Sequence, residues 1–432
     1  MKLRTLFLLA IGPVLAEEAS GEWVARVTGA TVREPVYAHV TIRAEGKTLR
    51  GSWNEWTLEG TVEGGRVEFG LKQPDGHAMG TMTGEFAGGR AAGKGSLEMR
   101  AGEGRRGPAQ VLWTLERPVV RSGGPKTVTF EPTQFYNNYS AAIAPVLRVF
   151  PGDTIRTYTL DSGGTDAKQA RRSAGGNPQT GPFYIEGALP GDTLSVHLKQ
   201  VRLNRDTARS GARINLRTVT PAWAVAAKYS EGFNSEWKLD KAAGVARLAN
   251  PTERLKNYTV PILPMIGCLA VAPAAGQSFR STDLGPYGGN MDYNRMNEGA
   301  TLLLPVSQPG ALFFLGDGHA AMGDGELTGA ALETSLDVEF TVDVIKGSAT
   351  TYPRLLNSEY LMSMGVAGSI ADALQFATSQ LADWLKADYG LNDSEVAIVL
   401  GTALRYDVAE MVDPQINVVA RIPRTALQGL RK

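Results

Sequence analysis

Two glycine-rich runs carry most of the side chains able to do chemistry. One is Gly288-Gly289-Asn290-Met291-Asp292, and the other runs from Gly316-Asp317-Gly318-His319 through Met322 to Gly323-Asp324-Gly325-Glu326. The second sets one histidine and three carboxylates within ten residues. The glycines between them let the backbone turn several side chains toward one point. A neutral imidazole beside carboxylates suits zinc, which keeps a position for water and lowers that water's pKa until hydroxide is available near neutral pH. An all-oxygen set would suit calcium or magnesium instead. The competing reading is that Asp-Gly pairs are ordinary turns whose carboxylates face solvent. No zincin or other named metal signature decides between the two.

These runs need a scaffold, and the composition describes one. The chain has 432 residues, too many for one ordinary core, so two or three domains are expected. Fifty glycines and 23 prolines, with aromatic and β-branched runs between them, predict many short strands. Lys plus Arg and Asp plus Glu both total 44, so no net field draws the chain to nucleic acid or to an anionic membrane. Neutrality also permits self-association into a homo-oligomer. The single cysteine, Cys268, excludes an intrachain disulfide, and its apolar setting fits an inert buried thiol. At the N-terminus, Lys2 and Arg4 precede an apolar run and Val14-Leu15-Ala16, the pattern of a signal peptide cleaved after Ala16. A periplasmic or secreted protein is expected.

Residues 21–117 alternate apolar and polar positions between glycine turns. Val36, Ala38, Val40 and Ile42 share one strand face, and Gly64-Gly65 and Gly88-Gly89 fall where hairpins need positive φ. A small antiparallel barrel-like domain is predicted, with Trp53, Trp56 and Trp113 as packing or as the wall of a ligand cup. Arg100 to Pro108 is predicted to be a long exposed hairpin loop, and residues 118–125 a linker. Residues 126–432 then form the second domain. In it, Pro151-Gly152-Asp153 and Pro190-Gly191-Asp192 each read as a turn leading into a strand. Ala330 to Val344 alternates as one strand, with Leu332, Leu336, Val338, Phe340, Val342 and Val344 inward and Glu333, Ser335, Asp337, Glu339 and Asp343 outward. Ser369 and Asp372 cap a helix with Ile370, Leu374, Ala377, Leu381 and Leu385 on one face, Gly390 stops it, and a second helix covers about Asp393 to Leu404. Ile416 to Ile422 returns to strand.

Four segments in this order resemble the acetamidase/formamidase family: Ile266-Gly267-Cys268 through Pro273, Gly285-Pro286-Tyr287 through Asp292, Leu303-Leu304-Pro305-Val306, and the Asp317-to-Glu326 run. Thr180-Gly181-Pro182 through Ala188 and Pro190-Gly191-Asp192 are similar to that family as well. The resemblance covers roughly residues 130–423. It implies a mainly β fold with an α/β C-terminal part, an acetamidase/formamidase-like β-sandwich behind the barrel, and hydrolysis of small linear carboxamides to ammonia and a carboxylic acid. It further implies a divalent metal, zinc first with calcium or magnesium as alternatives, on Asp292, His319 and Asp317. Glu326 would shuttle protons with Asp324 beside it. Asn290, with N–H groups near Gly288-Gly289, would meet the oxyanion. The chain departs from the family where histidines are usual: Gln134 to Asn138 and Gly176-Asn177-Pro178 stand there, and Met322 stands where glutamine is common. Those departures motivate a second reading, a noncatalytic periplasmic small-ligand-binding protein on an amidase scaffold. Asn138 and Asn177 are read as turn formers.

Overall fold

The computed structural model describes residues 18–30, 32–100 and 106–430. The expected signal segment ending at Ala16 lies outside them. The described residues form two compact units, divided between residues 122 and 123.

In the first unit, eight antiparallel strands from Gly21–Gly29 to Arg106–Glu116 close into a barrel, the first pairing with the last through Val24↔Glu116 and its neighbours. The expected alternation holds: Ala38, Val40 and Ile42 are buried, whereas Val36, near the strand's start, is exposed. Gly64, Gly65, Gly88 and Gly89 all take positive φ at hairpin turns. Trp53 and Trp113 are buried against Phe69, with centroids 6.2 and 5.4 Å away, so both are core packing rather than the wall of a cup. Arg106 to Pro108 belong to a strand, so the expected loop is shorter than Arg100 to Pro108, and residues 101–105 lie outside the described residues.

The second unit is a β-sandwich. One sheet of eleven strands contains Met265–Ala270, Gly288–Asn290 and Phe313–His319. The other, of nine, contains Thr193–Leu203, Leu336–Ile345, Tyr360–Ala367 and Ile416–Pro423. Leu194, Val196, Phe313, Phe314, Leu336 and Phe340 meet between them in a continuous core. Both Pro-Gly-Asp turns work as expected. Asp153 accepts from the N–H of Phe150 and Asp192 from that of Leu189, 2.8 and 2.9 Å, with Gly152 and Gly191 at positive φ.

A further expectation changes. The segment around Leu332 to Val344 is not one strand: Glu333–Thr334 pairs within the first sheet and Leu336–Ile345 within the second, so the chain crosses between sheets at Ser335. Glu333 and Ser335 are consequently buried rather than outward. Buried Arg205 fixes this crossing, donating to Thr334 Oγ1, to the Glu333 carbonyl and to Asp161.

The helix Ile370–Tyr389 is capped by Ser369 and ended by Gly390 at φ 66°, and Asp393–Ala403 follows it. Its inward face is Ala373, Ala377, Leu381, Trp384 and Leu385, while Ile370 is exposed at the first turn. Gly365 lets this helix lie close on the strand beneath: a Cβ there would sit 1.9 Å from the Ala373 carbonyl oxygen and 2.4 Å from the Ala377 nitrogen. Helix backbone cannot swing aside as a side-chain tip can. Gly365→Ala is therefore expected to cost about 1–3 kcal/mol, read as a lower denaturation midpoint with an unchanged urea slope. An unaltered midpoint would contradict this close packing.

Candidate active site

The strand Phe313–His319 supplies Asp317 and His319, two residues apart. Beside it runs Met265–Ala270, in which Ile266 pairs with Gly318 and Cys268 with Gly316, leaving Gly267 opposite Asp317. The Gly267 carbonyl accepts the N–H groups of Met291 and Asp292, so the next connection delivers Asp292 to the same spot. A Cβ on Gly267 would lie 2.2 Å from Asp292 Oδ1 and 2.6 Å from Asp317 Oδ2; only glycine leaves room for both carboxylates. Glu326 arrives from the Gly323–Gly325 turn, which pairs with the chain at Glu410.

Asn177, Asp292, Asp317 and Glu326 all adopt left-handed backbone, with φ of 56, 37, 61 and 44°. Such conformations cost on the order of 1 kcal/mol or more for a residue with a Cβ, and concentrate where function over-determines geometry. Here they aim polar side chains at one buried point.

His319 lies at that point, fully buried. Its Nε2 is 3.1 Å from Glu333 Oε1, 3.6 Å from Asp317 Oδ1 and 3.8 Å from Glu326 Oε1. Its Nδ1 is 2.9 Å from Met265 Sδ and 3.9 Å from Asp292 Oδ1. Burial alone would depress the imidazole pKa, but Glu333 and Asp317, with Glu326 behind them, push it up to about 10. Burial and mutual repulsion hold Asp292, Asp317 and Glu326 well above the carboxylate range. Glu333 is the exception: burial would raise it, yet the His319 charge and hydrogen bond keep it low.

Asp292, Asp317 and His319 offer ligand atoms within 4.8 Å of one another, as do His319, Glu326 and Glu333. Both oxygens of Asp292, Oδ1 of Asp317 and Oε2 of Glu333 are buried without a hydrogen-bond partner. Buried carboxylate oxygens are normally paired or bound to metal, so this donor set fits a divalent cation. The ligand form of His319 is the neutral one. A cation and a proton thus compete for its ring, and cation affinity should rise with pH.

Two expected residues are engaged otherwise. Asp324 faces outward from its turn and accepts from Asn294 Nδ2 at 2.7 Å, outside the carboxylate cluster. Asn290 is close by but fully engaged. Its N–H goes to the Asp283 carbonyl, its Oδ1 accepts from Asn177, and its Nδ2 donates to Asp413. Gly288–Asn290 is itself paired with strands on both sides, so its N–H groups serve the sheet rather than an oxyanion. Asn177 is a structural bridge, reaching Asn290 Oδ1 at 2.8 Å and Asp317 Oδ2 at 3.2 Å. Asn138 bonds Ser278. Cys268 Sγ lies 2.8 Å from Asn290 Oδ1, and burial beside Asp317 pushes the thiol up, so it holds its proton.

Residues not expected from the sequence are Glu333, Glu410 and Asp413. A cavity of ≈ 740 Å³, lined by Trp237, Tyr258, Leu332, Asn294 and Asp324 among others, has Glu326 in its wall. Glu326 thus stands between the cavity and the buried imidazole.

A histidine–carboxylate centre buried in a β-sandwich is the class that this fold and site define. Residues 270–427 match the model of the family described as the Acetamidase/Formamidase family. The chain is 28% identical over 191 residues to a putative formamidase from Schizosaccharomyces pombe, 34% of this chain and 47% of that protein. It is 28% identical over 139 residues to an acetamidase from Mycolicibacterium smegmatis, 27% of this chain and 34% of the relative. It therefore spans less than half the length of these curated relatives. The crystal structure of an acetamidase from Yersinia enterocolitica superposes with a TM-score of 0.61 at 28% identity, covering 72% of this chain and 96% of that one. Among the described residues no helix is long and apolar enough to cross a membrane.

Gly267→Ala tests the geometry of the centre. Its backbone is not left-handed, so the unit should fold. The added methyl should force Asp292 and Asp317 apart and weaken zinc uptake, followed by titration calorimetry, by roughly tenfold or more. Unchanged uptake would separate this centre from metal binding.

Proposed function

We propose that the C-terminal unit hydrolyses a small linear carboxamide, adding water across the C–N bond to give a carboxylic acid and ammonia. The observation that carries this reading is the convergence of Asp292, Asp317 and His319, with both Asp292 oxygens buried and unpartnered, on a fold shared with an acetamidase. Those three residues would hold a divalent ion, zinc first. When bound, the ion supplies hydroxide near neutral pH and polarises the amide carbonyl.

The rest falls to the chain's own groups. Glu326 stands in the cavity wall 3.8 Å from His319, where its carboxyl can pass a proton to the leaving nitrogen. Glu333, bonded to His319 Nε2, fixes the ring's orientation. Asn177 spans Asn290 and Asp317 and holds the Asp317 carboxylate in place. We also propose export, on the Lys2, Arg4 and Ala16 pattern. N-terminal sequencing of protein recovered from the extracytoplasmic fraction should begin after Ala16.

Protein purified without chelator is expected to carry tightly held divalent metal and to release ammonia from at least one amide of a panel of short, aromatic and cyclic amides. His319→Ala should remove the metal and lower ammonia release by about 10²–10⁴-fold. Absence of metal, with release equal to the His319→Ala control across the panel, would leave the noncatalytic binding reading. That reading already has one motive, since Asn177 stands where a family histidine is usual and is spent on Asn290 and Asp317.

A further inference from the structure

The carboxylates extend beyond the set that surrounds His319. Asp292, Glu410 and Asp413 form a second group whose ligand atoms lie within 4.8 Å of one another, and Asp292 is common to both groups. Glu410 ends the strand Arg405–Glu410 and is fully buried. Its Oε1 is occupied by the N–H groups of Val412 and Asp413, while its Oε2 is buried without a partner. Asp413 is anchored by Asn290 Nδ2, and its backbone carbonyl accepts from Arg217. On the near side, Asp292 Oδ1 faces His319 at 3.9 Å. Its other oxygen is equally buried and equally without a partner.

We infer that this unit holds two cations rather than one, with the Asp292 carboxylate bridging them. The inference rests on the cation reading of the His319 centre given above. The second position is all oxygen, supplied by Asp292, Glu410 and Asp413, and so selects a hard divalent ion of the magnesium, manganese or calcium class. The first, with an imidazole, keeps its preference for zinc.

Charge supports two ions. Asp292, Asp317, Glu326 and Glu333 surround the imidazole, and Glu410 and Asp413 join the same cluster through Asp292. With all six ionised, one divalent ion would offset only two of the six charges, and a buried surplus of like charge is costly. The alternative means of neutralisation is shared protons, since the pairs Glu326–Glu410 and Asp317–Glu333 stand close enough to hydrogen-bond when one member is protonated. A bridging carboxylate between ions roughly 3.5–4 Å apart is the geometry by which two-metal sites stabilise both the attacking and the leaving groups.

The test is a metal count on the full chain, stripped and then reloaded with zinc and with manganese, by elemental analysis and titration calorimetry. Two ions per chain are expected for the wild type. Glu410→Gln and Asp413→Asn keep side-chain shape, and each should retain the first ion while weakening the second by about 100-fold or more. Manganese-loaded wild type should show an exchange-coupled electron paramagnetic resonance signal that collapses to an isolated-ion spectrum in either variant. Thermal unfolding of the stripped proteins checks that the variants fold; if one does not, the other and the wild-type count still decide. One ion in the wild type, unchanged in both variants and without exchange coupling, overturns the second site and leaves the proposed function intact. No ion at all overturns both.

Discussion

Burying negative charge is the constraint around which the second unit is built. His319 has no exposure to solvent, yet Glu333, Asp317, Glu326 and Asp292 all approach within 4 Å of its ring. Water does not solvate these groups, so a folded chain must supply positive charge, protons or hydrogen-bond donors at that point. Donors are few, as the partnerless oxygens of Asp292, Asp317 and Glu333 show. The chain spends further stability to maintain this arrangement. Four polar residues take left-handed backbone there, and Gly267 gives up its side chain so that two carboxylates can share one space. A protein selected for stability alone would fill such a place with leucine.

The sandwich makes the arrangement tolerable by bringing remote segments to it along rigid edges. Asp317 and His319 come with one strand, Asp292 with the turn after another, and Glu410 with the end of a strand in the opposite sheet. Glu333 comes with the crossing between sheets, held by Arg205, whose guanidinium reaches Asp161, Thr165, Thr207 and Thr334. The supporting bonds are therefore distributed over the unit. The backbone positions that carry the carboxylates are thus tied to ladders in both sheets.

Local physics was readable wherever one segment sufficed to determine it. Period-two alternation announced the barrel strands, paired glycines their turns, Pro-Gly-Asp the strand entries, and Ser369 with Gly390 the limits of the helix. That the glycine-flanked Asp317, His319 and Glu326 converge was readable because the glycines betrayed a backbone that must bend. Glu333 was hidden, since alternation assigns it to a solvent face and only the break at Ser335 turns it inward. Glu410 and Asp413 were hidden for a different reason: nothing local marks them, and pairing of Gly325 with Glu410 is what brings them near. Asp324 misled because it shares its neighbours' composition, whereas the turn directs Glu326 inward and Asp324 outward. Asn290 lies beside the cluster, but its N–H and both side-chain amide atoms are already in use.

Closure of the N-terminal barrel limits how that unit can take part in recognition. With the first strand bonded to the last, the described strands leave no main-chain row open for a foreign peptide to extend the sheet, and the interior is filled by Trp23, Leu49, Phe69 and Trp113. What remains for contact is the outer wall, where His39, Thr41, Thr57 and Thr83 alternate with inward residues. Evolution can recolour that wall residue by residue without touching the lining, so the barrel's surface chemistry and its stability are free to drift apart.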